Sequence, residues 1–327
     1  MRRACITGGA GFIGSNLADR LRDDGVEVVI VDDFRAGRRE FLDHLSDDPG
    51  LTVHEGDVLD QRLLERAFDG CDWIFHLQAN ADVRHGLEHP RLDLEQNTVA
   101  TANVLEAMRA VGCEKIAFAS TGSVYGEPDL FPTPEDVPFP SQTSLYAASK
   151  LAGEGMIGAY VHGFGFTGVV FRFVSILGSR YTHGHVYDFY RALKRDPTRL
   201  RVLGDGHQEK SYLHVSDCVA AICTAVAAHD RRAAELGVYN LGTDETVIVN
   251  DSIALICEHM GVTPELEYSG GSRGWAGDSP LIHLDCTRIR ELGWAPSVTI
   301  REAIRQTLDW FDANSYAWQD EPAGDVA

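Results

Sequence analysis

The chain has 327 residues, of which 44% are apolar and 24% are charged, and its formal net charge is −20. A chain of this length can bury a sizeable core, and a typical domain size of roughly 100–200 residues suggests two domains or one large α/β unit with an added lobe. The acidic balance argues against sequence-independent nucleic-acid binding and against docking on anionic membranes, because both need clustered Lys and Arg.

The sequence also lacks the patterns of secreted, membrane and metal proteins. Its apolar stretches are far shorter than the ~20 residues that span a bilayer, and the apolar run before Gly8 is too short for a secretory signal. The seven cysteines are scattered and form no CxxC pair, so we expect neither a disulfide framework nor a metal site. A cytoplasmic protein with free thiols is expected.

Short runs rich in β-branched residues alternate with amphipathic stretches in the first half of the chain. The runs predicted as buried parallel strands are Arg3 to Thr7, Glu27 to Val31, Leu51 to His54, Trp73 to Leu77, Lys115 to Ala119 and Gly168 to Phe173. Helices are predicted near 12–24, 60–68, 92–110 and 145–162. Because strand and helix units repeat and crossovers are right-handed, the pattern predicts an α/β fold with a doubly wound parallel sheet.

After Phe173 the pattern loosens into shorter elements. Strands are predicted at Leu200 to Leu203 and Val238 to Leu241, and helices near 216–228, 249–260 and 299–313. We therefore expect one domain over 1–173, to which 212–241 contributes, and a smaller lobe over 174–327. No Pro/Ser/Gly-rich linker separates them, so the two are expected to be interleaved.

A glycine-rich turn follows the first strand directly. Glycines at 8, 11 and 14 lie between a strand and a helix, where they allow a tight turn, close approach of backbone N–H groups to a pyrophosphate, and close helix packing. The second strand ends at Asp32 and Asp33, and a carboxylate there suits the ribose hydroxyls of NAD better than the 2′-phosphate of NADP. The pattern predicts a Rossmann domain that binds NAD; the alternative for Asp32 is a loop-capping role.

A tyrosine and a lysine follow at helical spacing. Tyr146 and Lys150 are four residues apart, so they share a helix face. The Lys150 ammonium, with a positively charged nicotinamide beside it, is expected to favour the phenolate and to lower the tyrosine pKa from about 10. The pair would then act as a general base for a secondary alcohol. The spacing alone also fits an aromatic side chain packed beside a solvated lysine.

Taken together, several motifs resemble the extended short-chain dehydrogenase/reductase family. They are TGGAGFIG at 7–14, VDDF at 31–34, HLQA at 76–79, STGSVYG at 120–126, YAASK at 146–150 and GDGHQEKSYLHVSD at 204–217. Within that family the chain looks most like nucleotide-sugar epimerases and dehydratases of the UDP-glucose 4-epimerase type. The resemblance spans roughly residues 2 to 313 and implies an NAD-dependent enzyme that forms a homodimer through helices near 98–110 and 147–160.

The same resemblance implies roles for individual residues. Tyr146 is the base, Lys150 lowers its pKa and holds the nicotinamide ribose, and Thr121 bonds the hydroxyl being oxidised. Residues implied to hold NAD are Gly8, Gly11, Phe12, Ile13, Gly14, Asp32, Asp33, Asp57, Val58, Leu77, Ala79, Asn97, Tyr146 and Lys150. Residues implied to contact substrate are Asp82, Thr121, Ser123, Ser175, Arg180, His185, Val186, Lys210 and Arg273.

Some positions depart from the family pattern in the second half of the chain. Ser175 stands where an asparagine often helps to hold the nucleotide diphosphate, and Lys210 replaces an arginine. Lysine offers a point charge rather than a bidentate fork. Arg180, Lys210 and Arg273 together still predict a cationic site for a diphosphate, but these departures leave the identity of the nucleotide open.

The leading hypothesis is a redox-neutral 4-epimerase of a nucleotide-diphosphate sugar, which passes through a transient keto sugar. A 4,6-dehydratase shares the first oxidation step, but Gly122 and Ser123 stand where the family's dehydratases carry Asp-Glu. Two further hypotheses are a net sugar-nucleotide oxidoreductase, such as a keto-sugar reductase, and a dinucleotide-sensing regulator without enzyme activity. The presence of Thr121, Tyr146 and Lys150 together favours an enzyme.

Overall fold

The first half of the chain forms a single parallel sheet. The computed structural model describes residues 1–80, 88–139, 141–274 and 281–319. The strands of the sheet are β1 (Arg3–Thr7), β2 (Glu27–Asp32), β3 (Leu51–Glu55), β4 (Trp73–His76), β5 (Lys115–Thr121), β6 (Thr167–Phe173) and β11 (Leu236–Leu241). These seven strands lie in the order β11-β6-β5-β4-β1-β2-β3, and all neighbours in the sheet pair in parallel.

The sheet is central because its strands are apolar on both faces. Strands β1, β2, β4, β5 and β6 are buried along nearly their whole length, as expected for a parallel sheet covered by helices on both sides. The chain runs outward from β1 to β3 and then returns to place β4 on the other side of β1. This reversal creates a switch point beside β1, where doubly wound folds bind ligands.

Helices connect the strands and cover the sheet. They are α1 (Phe12–Asp23), α2 (Gln61–Phe68), α3 (Pro90–Asp93), α4 (Ala100–Val111), α5 (Leu145–Phe164) and α7 (Val215–His229). Local sequence explains their ends: Asp60 caps α2 by accepting from two backbone N–H groups, and Ser144 caps α5 by accepting from Ala147 N–H at 3.1 Å. Helix α5 ends at Gly165, whose φ of +76° is readily adopted only by glycine.

The predicted elements of this half are confirmed, with informative differences. Strand β5 continues to Thr121, so Ser120 and Thr121 are strand residues at the carboxyl edge of the sheet. The helix predicted near 92–110 is interrupted by a π-helical turn at Leu94–Val99, which contains Asn97. Such turns frequently mark functional sites.

A second set of elements packs around an aromatic core. It comprises β7 (Ser175–Leu177), α6 (His185–Arg195), β8 (Arg199–Val202), β9 (Glu209–Lys210), β10 (Tyr212–His214), β12 (Val247–Ile248), α8 (Val249–Met260), β13 (Glu265–Tyr268), α10 (Ile300–Ala313) and α11 (Tyr316–Gln319). Phe311 of α10 is fully buried, with ring centroids 5.0 Å from Tyr190 and 5.7 Å from Tyr187 of α6.

The chain divides into two interleaved compact units. The first consists of Met1–Val174, Cys218–Leu241 and Leu284–Ala295, and the second consists of Ser175–Asp217, Gly242–His283 and the chain from Pro296 onward. Two segments therefore group differently from the expected bounds. Residues 212–217 belong to the second unit because β10 pairs with β7. Residues 284–295, which include helix α9 (Thr287–Glu291), belong to the first unit, where Asp285 N–H bonds Thr133 C=O at 2.9 Å.

Among the described residues, no helix combines the length and apolarity needed to cross a membrane.

Candidate active site

The glycine-rich turn between β1 and α1 is closed by backbone contacts. Gly8 adopts φ +73°, and its N–H bonds Val31 C=O at 2.8 Å. A Cβ on Gly14 would lie 2.2 Å from Gly8 O, and one on Gly8 would lie 2.8 Å from the backbone of Gln78. The turn can therefore form only with glycines, and Gly11, the N-cap of α1, brings no side chain over the first N–H groups of the helix.

Asp32 is held against this turn. Its carboxylate accepts from Ala10 N–H and from Phe34 N–H, each at 2.9 Å, and the residue is 7% exposed. Burial raises the pKa of Asp32, and the two backbone hydrogen bonds oppose that rise. Asp32 thus organises the loop, as the loop-capping hypothesis expected. Its second predicted role, bonding the ribose hydroxyls, remains a prediction.

Arg35 is bound by carboxylates. Its guanidinium bonds Asp33 and bonds Asp57 at 2.6 Å, and these hydrogen bonds raise the pKa of Arg35. A cation that is already paired twice is a poor partner for a 2′-phosphate, which favours NAD over NADP. Val58, beside Asp57, is only 3% exposed and packs in the core, so any hydrogen bond to a ligand would come from its backbone.

The π-helical turn brings Asn97 between two segments. Its Nδ2 donates to Ser149 Oγ at 2.8 Å on α5, and its Oδ1 accepts from Asn80 N–H at 2.8 Å after β4. Ser149 Oγ donates in turn to Tyr146 C=O at 2.7 Å. Asn97 therefore fixes the segment containing Leu77 and Ala79 relative to the first turns of α5.

His76 has a structural role, as expected. Its Nδ1 accepts from Thr7 Oγ1 at 2.7 Å, and its Nε2 donates to Thr101 Oγ1 at 3.1 Å, because Thr101 itself donates to Asn97 C=O. Burial, with the nearby Lys150, lowers the pKa of His76 to about 3, so the ring is neutral at physiological pH.

The three predicted catalytic residues meet at the end of β5. The Tyr146 hydroxyl is hydrogen-bonded to Thr121, whose Oγ1 also accepts from Ser123 N–H at 3.1 Å. Lys150 is 2% exposed, donates to Ala119 C=O at 2.8 Å, and lies 4.8 Å from the centre of the Phe118 ring. A phenol, a hydroxyl and an ammonium on adjacent rigid elements can together take a proton from an alcohol.

The predicted fall in the pKa of Tyr146 includes a bound nicotinamide, and the protein alone gives a different balance. Burial raises the pKa of Tyr146 to about 12, with the Asp93 carboxylate adding to the rise and the Thr121 bond opposing it. Burial lowers the pKa of Lys150 to about 7, and the Glu154 carboxylate opposes that fall. In the protein alone the phenol is thus protonated, because desolvation and the Asp93 charge outweigh the Thr121 hydrogen bond.

The predicted substrate residues of the second unit lie on several of its elements. Burial lowers the pKa of His185 to about 3, and the charge of the nearby Lys210 adds to this fall. His185 is hydrogen-bonded to Tyr212, and a Cβ on Gly204 would lie 3.2 Å from Arg273 O. Val186 is fully buried, so its side chain cannot contact a ligand as predicted.

The remaining residues predicted to contact substrate in the second unit lie around β7. Ser175 is exposed at the start of that strand, and Arg180, beyond its end, adopts φ +68°. Asp82 lies outside the described residues. Within the described ranges, no three His, Cys, Asp or Glu side chains are grouped to hold a metal ion.

Sequence reasoning missed two groups of residues in the first unit. One is the set that positions Asn97, namely Asn80, Asp93 and Ser149. The other is a buried network that begins at Glu154, one helical turn beyond Lys150. The spacing of Ser149 and Glu154 on the Tyr146 helix was the available signal.

The fold and the grouping of Tyr146, Lys150 and Thr121 are those predicted for a dinucleotide-binding enzyme that oxidises an alcohol. The glycine cradle, which any Cβ would fill, and the twice-paired Arg35 fit NAD. The model of the NAD dependent epimerase/dehydratase family matches residues 4–242. The chain belongs to this family.

Individual relatives agree in length and fold. A UDP-glucose 4-epimerase of Mycolicibacterium smegmatis is 34% identical over 94% of this chain and 98% of its own length. A crystal structure of a UDP-galactose 4-epimerase superposes with a TM-score of 0.85 at 37% identity, covering 95% of this chain and 99% of that one. A dTDP-glucose 4,6-dehydratase of Streptomyces venezuelae, solved with NAD, superposes with a TM-score of 0.87 at 26% identity, covering 97% and 99%.

These similarities confirm the predicted family, the doubly wound fold, NAD as cofactor and the leading interpretation as a nucleotide-sugar epimerase.

The glycine cradle generates a binding prediction. Gly14→Ala places a Cβ 2.2 Å from Gly8 O and 2.8 Å from Gly9 Cα, so the turn must open. We expect NAD to bind at least about tenfold more weakly, a loss of roughly 1.4 kcal/mol, as measured by isothermal titration. The control is Gly163→Ala on α5, where no atom lies within 4 Å of the new Cβ and affinity should be unchanged. Equal NAD affinities of the two variants would contradict the role of the glycine turn in NAD binding.

Proposed function

We propose that the protein interconverts the C4 epimers of a UDP-hexose, with UDP-glucose and UDP-galactose as the first candidates. The observation that carries this proposal is the grouping of three side chains at the end of β5: Tyr146 is hydrogen-bonded to Thr121, and Lys150, on the same helix face, donates to Ala119 C=O. The names of the relatives support the sugar and the nucleotide, since 4-epimerases of UDP-glucose and UDP-galactose are among them.

The chain's own residues would carry the proton transfer. Bound NAD supplies a hydride acceptor that later returns the same hydride. Tyr146 removes the C4 hydroxyl proton as the C4–H bond breaks, and Thr121 holds that oxygen in line with the phenol. Once the keto sugar has rotated within the site, Tyr146 would give the proton back to the C4 oxygen. Because bound NAD would take up and return a single hydride, the reaction is redox-neutral.

Ionisation of Tyr146 is the demanding step. Because burial holds its pKa at about 12, the phenolate needs positive charge nearby. Protonated Lys150, one helical turn away, supplies part of that charge, and the cationic nicotinamide supplies the rest. The base would therefore form together with the bound cofactor and not before it.

The second unit would hold the nucleotide diphosphate. Arg180, Lys210 and Arg273 are retained cations in a chain of net charge −20, and phosphate oxygens are strong acceptors for such groups. A protein of net charge −20 would not attract an anionic substrate over its whole surface, so these three side chains must attract the diphosphate at the site itself. Ser175 and His185 are the neutral donors proposed beside them. A cytoplasmic location stays a prediction.

A 4,6-dehydratase is the second candidate, favoured by the dehydratase structure with a TM-score of 0.87. Elimination of water needs an acid and a base beside the oxidised carbon. Gly122 and Ser123 follow Thr121 in a 3₁₀ turn and offer no carboxylate there. A dehydratase would release a 4-keto-6-deoxy sugar, whereas an epimerase would release a hexose at the same oxidation level as its substrate.

The substrate is tested by incubating the purified protein with UDP-, dTDP-, GDP-, CDP- and ADP-hexoses and following the sugar by NMR. We expect a mixture of C4 epimers from a UDP-hexose and no net change in NAD. Inversion at another carbon, or turnover of another nucleotide alone, would contradict the specific proposal. A 4-keto-6-deoxy product would favour the dehydratase.

The base is tested by Tyr146→Phe. Loss of a general base lowers turnover by about 10²–10⁴-fold, while NAD binding and the circular dichroism spectrum should persist. Tyr239→Phe is the matched control, because it also removes a buried tyrosine hydroxyl, which is bonded to His229 at 2.8 Å, outside the site. Undiminished epimerisation in Tyr146→Phe would rule out the assigned role.

We also propose a homodimer through α4 and α5. Val99, at the end of the π-helical turn, is 41% exposed, and exposed apolar side chains on a helix suit a partner surface. Sedimentation should give a dimer for the unmodified chain and a weaker dimer for Val99→Glu. Tyr268→Glu, at a 43% exposed position of the second unit, should leave the dimer intact. A monomer in the unmodified protein would contradict the proposal.

A further inference from the structure

The first unit buries an ion pair next to Lys150. Glu154 of α5 is 8% exposed and Arg172 of β6 is 4% exposed. Arg172 Nη2 lies 2.7 Å from Glu154 Oε2, and Arg172 Nε lies 3.1 Å from Oε1. Removing two charges from water is costly, and apolar side chains of similar volume often serve stability equally well. Stability alone therefore does not account for this pair.

Glu154 continues the row of site residues on α5. Tyr146, Lys150 and Glu154 are spaced by four residues and so lie along one helix face. Each is bonded to β5: Tyr146 to Thr121, Lys150 to Ala119 C=O, and Glu154 to the Ser120 hydroxyl. The carboxylate is thus fixed in the same register as the ammonium.

The charges around Lys150 give Glu154 its effect. His76 of β4 faces the ammonium but is neutral, and Asp93 acts on Tyr146. Arg172 adds a second buried cation on the β6 side. Burial disfavours the charged form of Lys150, and Glu154 is the carboxylate that counteracts this. Without it, two cations would lie in the same buried region with no anion between them.

Arg172 is itself held in place. Its Nη1 donates to the Tyr125 hydroxyl at 2.7 Å and to Glu135 C=O at 2.9 Å, and its guanidinium carbon lies 4.8 Å from the centre of the Phe139 ring. Tyr125 in turn donates to Asn240 at 2.7 Å. Because Arg172 is fixed on both sides, it orients the Glu154 carboxylate rather than following it.

We propose that Glu154 is a positioning residue for proton transfer: oriented by Arg172 and Ser120, its carboxylate keeps Lys150 protonated, and so sets the pH range in which Tyr146 works. The inference rests on the proposed function for its catalytic consequence. Glu154 touches neither the sugar nor the cofactor in this scheme, and it acts entirely through Lys150.

The direction of the pH effect follows from the charges. Loss of the Glu154 charge leaves the effect of burial unopposed, so Lys150 gives up its proton at a lower pH. A neutral Lys150 no longer favours the Tyr146 phenolate. Activity should therefore fall off at a lower pH on the basic side of the profile, while the rate near the acidic side is less affected.

The test is the pH profile of turnover in Glu154→Gln. We expect its basic limb to move acidward by about one pH unit, which is about a tenfold loss of rate on that limb relative to the unmodified protein. Glu154→Asp retains the charge and should recover part of the shift. A uniform loss of rate at every pH, with the limb in its original place, would mean a merely structural role and would overturn the inference.

Tyr125→Phe is the structural control. It removes one partner of Arg172 but leaves Glu154 and its charge in place, so the protein should lose some thermal stability with an unshifted profile. If Glu154→Gln does not fold, the double variant Glu154→Gln/Arg172→Met removes the whole ion pair and avoids an unpaired buried cation. Its basic limb should still move acidward, and an unshifted limb there would equally overturn the inference.

A second readout separates this inference from the proposed function. Titration of the Tyr146 phenolate by ultraviolet difference absorbance in the NAD complex, with Tyr146→Phe as the blank, needs no sugar. Glu154→Gln should leave the onset of this titration in place and extend its upper part to higher pH, because the phenolate is disfavoured only where Lys150 has lost its proton. If the unmodified protein turns over no sugar nucleotide, the proposed function fails, and this titration still decides the role of Glu154.

Discussion

The packing of α5 on β5 is the constraint on which the site depends. Tyr146, Lys150 and Glu154 lie along one face of the helix, and each is bonded to one of three consecutive strand residues, Ala119, Ser120 and Thr121. Gly153 permits this approach, because a Cβ there would lie 2.8 Å from the Phe118 ring. The relative position of phenol and ammonium is therefore set by backbone geometry and not by side-chain flexibility.

The π-helical turn adds a second fixed point from the other side of the first helical turns of α5. Asn97 bonds both Ser149 and the backbone after β4, and its own carbonyl accepts from Thr101. A regular helix would place this amide differently, since a π turn holds more residues than an α turn. The π-helical turn thus links the end of β4, which adjoins the glycine turn, to the helix that carries Tyr146.

The strands, helices and glycine cradle could be predicted because their signals are local. A buried parallel strand is a continuous apolar run. The turn needs glycine at 8, where φ is positive, and at 14, where a Cβ would lie 2.2 Å from Gly8 O in the same short segment. The Tyr146–Lys150 spacing likewise required only one helix. The family resemblance supplied further candidate site residues of the first unit, whose roles stay predictions, and it did not predict the burial of Val58.

Other features depend on distant residues and could not be read from the chain. Glu154 follows Lys150 at the spacing of an ordinary exposed ion pair, and only the packing of β6 shows that its partner is Arg172. Burial and Asp93 raise the pKa of Tyr146 in the protein alone, because desolvation is a property of the whole fold, and the fall expected with bound nicotinamide stays a prediction. Residues 212–217 likewise join the second unit through pairing with Ser175–Leu177, which no local pattern indicates.

The distribution of charge explains how an acidic chain can bind phosphates and still carry buried cations. Backbone N–H groups of the glycine turn can bind a pyrophosphate without a buried basic side chain. Lys150 and Arg172 are the cations that the fold buries beside β5, and Glu154 lies with both. An apolar group in place of the Glu154–Arg172 pair would satisfy packing, but it would remove the carboxylate that opposes the effect of burial on Lys150. The carboxylate therefore favours the protonated lysine, and the arginine that bonds the carboxylate orients it.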